Sequence, residues 1–189
     1  SGFTFRDNGL IKVEGGELYA NQIRNSVFGA SNVGGYYQSG GTASVGAAST
    51  NTDYYVFNLS YVNNSFTMSG GTLHIRQANA MGGVFINSDP GNYNVTGGTV
   101  IFDIDNTNNF VVTSKAPFWD VIIRNSAVNS NQHILSDAVD VGTDNVDLAA
   151  QTLTVLNDLT IEAESEFNAN GTDLEIGGDF IRSEERRVG

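Results

Sequence analysis

A Gly-Gly step that returns every 25 to 30 residues constrains this chain more than any other feature. The clearest copies are Phe66-Thr-Met-Ser-Gly-Gly-Thr-Leu-His-Ile75 and Tyr93-Asn-Val-Thr-Gly-Gly-Thr-Val-Ile-Phe102. Tyr36-Tyr-Gln-Ser-Gly-Gly-Thr-Ala-Ser-Val45 is a third, and Ile11-Lys-Val-Glu-Gly-Gly-Glu-Leu-Tyr-Ala20 is a looser fourth. Their first residues are 11, 36, 66 and 93, which gives intervals of 25, 30 and 27. Self-similarity at such a period marks an array of stacked units.

Within a copy, apolar residues alternate, as they do in a half-buried strand. The alternation changes parity at the glycines. Phe66 and Met68 share one face, and Leu73 and Ile75 share one face, but the two pairs lie at even and odd positions. A straight strand has period two and cannot hold both pairs on one side. The phase must therefore reset at Gly70-Gly71, and likewise at Gly97-Gly98 between Tyr93/Val95 and Val100/Phe102. Glycine accepts positive φ, so the reading is strand, glycine corner, strand. A tight Gly-Gly hairpin is the competing reading and would give a sandwich or open meander. The regular interval favours an all-β, right-handed parallel β-helix with coils of 25–30 residues. Layers about 4.8 Å apart would then place like on like. The expected ladders are Tyr36–Phe66–Tyr93, Thr42–Thr72–Thr99, and one built from Asn-rich corners.

The 189 residues suffice for a sizeable core. Gly (22 residues) and abundant Asn, Ser and Thr fit short strands joined by tight corners. The chain has no cysteine, so it holds neither disulfides nor thiolate metal sites. A net charge of −12 argues against nucleic acid and anionic membranes as partners. No run of about eighteen apolar residues is present, so membrane insertion through a helix is not expected. Ser1-Gly2-Phe3-Thr4-Phe5 carries neither an initiator Met nor a signal-peptide pattern, as expected of a piece of a longer polypeptide.

Three segments are expected. Residues 1–118 carry the Gly-Gly coils. Residues 119–181 continue the array with shorter strands such as Leu153-Thr-Val155, Leu159-Thr-Ile161 and Leu174-Glu-Ile176. Residues 182–189, Arg182-Ser-Glu-Glu-Arg-Arg-Val-Gly189, are abruptly charged and resemble the translation of a common sequencing adapter. Other expected strands include Tyr54–Tyr61, with Tyr55, Phe57, Leu59 and Tyr61 on one face, and Trp119–Arg124. Helix is nearly absent, and 136–150 is the only ambiguous stretch.

Few residues suggest chemistry. Asn51-Thr52-Asp53 resembles the first motif of polygalacturonases, but the Asp-Asp, Gly-His-Gly and Arg-x-Lys that such enzymes need are missing; it reads as a corner. Arg76 and Arg124, the basic residues available for lyase chemistry, show no evident acidic cluster beside them. His74 and His133 lack flanking glycines. Calcium is the one cofactor considered. Asp103, Asp105 and Asn106 are its weak candidates, with Asp137, Asp140, Asp144 and Asp147 as a second acidic patch. Carbohydrate contact has two weak candidates, Trp119 and Tyr54. No catalytic residue is expected.

Phe66–Ile75, Phe118-Trp-Asp-Val-Ile-Ile-Arg-Asn-Ser126, and Asn157–Ile161 through Gly177-Gly-Asp-Phe180 resemble secreted parallel β-helix proteins, above all adhesin-like surface proteins of the Bacteroidota. The likeness covers roughly residues 30–181 and concerns coil geometry, so no functional residue is carried over. It implies an extracellular or cell-surface location, with an export signal and a sorting domain elsewhere in a longer polypeptide. The expected role is a non-enzymatic structural or display segment, with surface glycans or other cells as partners. A module that binds or degrades polysaccharide is the alternative.

Overall fold

The computed structural model describes residues 2–5, 8–25, 33–46, 55–78, 82–105, 108–126, 133–135 and 151–183. Among these residues every regular element is a strand. Along the chain the first are β1 (Phe3–Phe5), β2 (Leu10–Val13), β3 (Glu17–Ala20), β4 (Ile23–Asn25), β5 (Gly35–Gln38) and β6 (Thr42–Val45). Then come β7 (Phe57–Leu59), β8 (Ser65–Ile75), β9 (Val84–Ile86), β10 (Tyr93–Asp103), β11 (Phe110–Ser114) and β12 (Asp120–Arg124). The last are β13 (His133–Leu135), β14 (Leu153–Val155), β15 (Leu159–Ile161), β16 (Phe167–Asn168), β17 (Leu174–Ile176) and β18 (Phe180–Arg182).

Three sheets result. One runs β1-β4-β7-β9-β11-β13-β16. The second runs β2-β5-β8-β10-β12-β15-β18, with β3 and β6 extending it beside β8. β14 and β17 form the third. Neighbours pair in parallel, so the chain must leave each sheet and return between one strand and the next. The hairpin reading of Gly-Gly is thereby excluded, since a hairpin pairs its strands antiparallel. Beyond residue 118 the same two large sheets continue through β12, β15 and β18 and through β13 and β16.

Burial follows the parity change. In β8, Phe66, Met68, Leu73 and Ile75 are buried and the residues between them are not. In β10, Val95, Val100 and Phe102 repeat this. The corner itself is gentler than expected. β2 and β3, and β5 and β6, are separate strands around their glycines, whereas β8 and β10 run through theirs as single eleven-residue strands. The β10–β8 ladder shifts register across Gly97, so the phase resets through a bulge rather than a turn.

The two glycines of a pair have different jobs. The second adopts positive φ: Gly16 (69°), Gly41 (65°), Gly71 (80°) and Gly98 (96°). The first lies against the layer before it. A Cβ on Gly40, Gly70 or Gly97 would stand 2.7 Å from the carbonyl oxygen of Glu14, Ser39 or Ser69. Those three residues each precede the previous Gly-Gly pair, so the pairs stack on one another.

Apolar side chains from the sheets form one buried cluster. Tyr36 and Phe66 stack with centroids 6.2 Å apart, and Phe66 meets Phe118 edge-on. Tyr93 keeps register with Phe66 but is only half-buried. The threonines align as expected, Thr42 on Thr72 and Thr72 on Thr99. The strand expected at Tyr54–Tyr61 is shorter, β7 alone. Phe57 and Leu59 share one face and join the buried core, whereas Tyr55 lies before the strand and packs on Phe85, so the expected face is kept only within β7. Asn side chains join layers through backbone groups. Asn25 Oδ1 accepts from Ser60 N (2.7 Å), and Asn87 Nδ2 donates to the Ser60 carbonyl (3.0 Å).

Candidate functional site

Among the described residues, a group of hydrogen-bonded and ion-paired side chains lies where β8, β10, β12 and β15 end. Parallel pairing brings four strand ends to one height, so charged residues just inside or after each strand become neighbours. Asp103, the last residue of β10, is only 2% exposed. Its Oδ1 accepts from Ser126 N (2.9 Å), and its Oδ2 accepts from Ser126 Oγ (2.7 Å). His74 Nε2 lies 2.9 Å from the same Oδ2. Burial alone would raise the Asp103 carboxyl; the bonds from His74 and Ser126 outweigh it and hold the group below its ordinary range. An ionised Asp103 can only accept, so His74 Nε2 carries the proton.

Two ion pairs flank this centre. Arg76 reaches Asp105 at 3.4 Å. Burial pushes the Asp105 carboxyl up, against the opposing pull of Gln77 and Arg76. Arg124 grips Glu162 with two bonds, Nε to Oε2 at 2.7 Å and Nη2 to Oε1 at 2.6 Å. The bonds from Arg124 pull Glu162 below its ordinary value. Arg76 and Arg124 therefore do have acidic partners, contrary to the sequence expectation. The partners come from other layers, 29 and 38 residues away.

Ser, His and Asp meet here, but not as a nucleophilic triad. Ser126 Oγ donates its hydrogen bond to Asp103, not to the imidazole, so His74 is not placed to take the hydroxyl proton. The arrangement ties three layers together. The calcium candidates Asp103 and Asp105 each face a basic side chain, while Asn106 lies outside the described residues. No group of three or more metal-ligating side chains occurs among the described residues. Of the carbohydrate candidates, Trp119 is half-buried and packs on the core, and Tyr54 lies outside the described residues. Asn51–Asp53 and the Asp137–Asp147 patch also lie outside them.

Sequence reasoning missed two polar devices. Gln38 points into the core, where its Nε2 donates to the carbonyls of Gly40, Gly41 and Thr72 and its Oε1 accepts from Tyr36 Oη at 2.7 Å. Burial pushes the Tyr36 hydroxyl well above its ordinary value, so it stays a donor. The other device is an aspartate ladder. Asp120 Oδ1 accepts from Asp158 N at 3.3 Å and from Asn157 Nδ2 at 2.7 Å; Asp158 Oδ1 accepts from Asp179 N at 2.8 Å. A signal for it was present, because each aspartate stands at the start of a strand: Asp120 opens β12, and Asp158 and Asp179 directly precede β15 and β18.

Set against known proteins, the chain matches no family model, no curated protein and no solved structure.

Proposed function

We propose that this chain is a segment of a right-handed parallel β-helix whose role is structural: a stalk or display array in a large exported bacterial surface protein, adhesin-like in character. The observation that carries the reading is the order of the two large sheets. Strands join them in the order of the sequence, always parallel, after steps such as Leu10 to Gly35 and Phe57 to Val84. Crossovers between parallel strands are right-handed in nearly all folds, which supports the hand. The polar side chains described above support the role: His74, Arg76 and Arg124 are spent on Asp103, Asp105 and Glu162, and they lock layers rather than face a substrate.

The purified chain, screened on a glycan array and against acidic polysaccharides, tests this reading. The expected outcome is neither saturable binding nor turnover, together with an elongated particle in small-angle scattering. Saturable binding or cleavage would replace the structural role with a polysaccharide module.

A further inference from the structure

We propose that His133 is an acid-sensitive latch: when its imidazole gains a proton, the β11–β13–β16 end of the seven-stranded sheet comes apart. β13 is three residues long and is held between β11 and β16 by parallel pairing. His133 stands in register with Phe110 on one side and Phe167 on the other. Its ring lies 5.2 Å from that of Phe110 and is fully buried, and neither ring nitrogen has a hydrogen-bond partner.

A neutral imidazole tolerates such a place as a flat, weakly polar ring. A protonated one brings a full charge and two donors into an aromatic layer, where only the backbone carbonyls of Phe102 and Glu166 stand near enough to favour it and no carboxylate is free to neutralise it. Among the described residues the groups facing it, the Phe102 and Glu166 carbonyls and the Asp103 carboxylate, offset burial only in part. From β10 the nearest acid is Asp103, already taken by Ser126 and His74. Glu166, which leads into β16, presents its backbone carbonyl to His133 N at 3.0 Å and keeps its side chain exposed. β11 brings Phe110, Val111 and Val112, none of which titrates.

Burial accordingly lowers the imidazole from 6.5 to about 4. The sign follows from the proton count. Between these values the open form binds a proton that the closed form refuses, so closure weakens as pH falls through this window. Over the whole window the closed-to-open ratio should drop by roughly two orders of magnitude.

The chain has only two histidines, so its imidazole NMR signals can be assigned by one substitution. In the intact chain His133 should stay neutral down to about pH 5, and the urea midpoint should fall between pH 6.5 and 4.5. In His133→Phe that fall should vanish, leaving a flat midpoint; His133→Leu serves if the phenyl ring does not fit. Titration of His133 near 6.5 within a folded chain would overturn the proposal. So would an undiminished acid slope in both variants.

Discussion

The two glycines of each pair are required for different reasons, and four alanine substitutions separate those reasons. Gly15 has neither constraint: its φ is not left-handed, and an added Cβ meets nothing within 4 Å. Gly16 has only the conformational one, a φ of 69° with open space around it. Gly70 has only crowding, with the Ser39 carbonyl oxygen 2.7 Å from the new carbon. Gly71 has both, a φ of 80° and the Gly40 oxygen at 2.6 Å. Gly15→Ala should be neutral or stabilising by about 0.4–1 kcal/mol, because it stiffens the unfolded chain. Gly16→Ala should cost about 1–2 kcal/mol for a left-handed L-residue, less that gain. Gly70→Ala forces backbone to move in a packed ladder and should cost about 1–3 kcal/mol before the same offset. Gly71→Ala combines the two and should be the most damaging, at about 2–4 kcal/mol. Urea midpoints at constant slope measure all four. If Gly15→Ala proved as harmful as Gly70→Ala, layer-on-layer stacking would not be why the first glycine is there. If Gly71→Ala were no worse than Gly16→Ala, crowding would be irrelevant.

Two further substitutions test the buried polar groups. Asp103→Asn removes a charged acceptor from Ser126 and His74 and should lower stability at pH 7 by about 2 kcal/mol. Because the native carboxyl is held below its ordinary 3.8, its contribution is present above that value and is lost as pH falls below it; the wild-type urea midpoint should drop there, and the variant should lack that part of the drop. Gln38→Leu strands the Tyr36 hydroxyl and takes a donor from the carbonyls of Gly40, Gly41 and Thr72, of which Gly41 keeps the bond from Thr72 N, and should cost about 1–3 kcal/mol. A double-mutant cycle with Tyr36→Phe should show coupling, the second change costing less once Gln38 is gone.

What could be read from the sequence was what repeats. The phase change between Met68 and Leu73 follows from counting, and the Thr42–Thr72–Thr99 row follows from aligning copies. Contacts made once, between unlike residues of different layers, left no such trace. Gln38 occupies a position where the other copies have Val13, Met68 and Val95, and nothing local announces that the core there accepts an amide. Asp103 looked like a corner ligand because its partners, His74 and Ser126, are 29 and 23 residues away. The strand expected at Tyr54–Tyr61 holds only in its middle, where Phe57 and Leu59 share a face. Alternation predicts the shared face but not where the strand stops, and Tyr55 lies outside β7 against Phe85. The glycine corner holds in parity, and in shape at Gly15-Gly16 and Gly40-Gly41 but not at Gly70-Gly71 or Gly97-Gly98, since periodicity records that a phase resets and not whether the strand bends.

The order of the two large sheets also has a mechanical consequence. Within each sheet a strand is held by the layers on either side, and the hydrogen bonds point along the stack. A load applied at one end would therefore bear first on the terminal layer, and rupture would pass inward one layer at a time. Each rupture would release a length set by the chain between paired strands. That is 38 residues from Val121 to Leu159, about 130 Å when extended, and 21 from Leu159 to Phe180, about 70 Å. Such a chain would give way in unequal steps, lengthening under tension while its remaining layers held their grip.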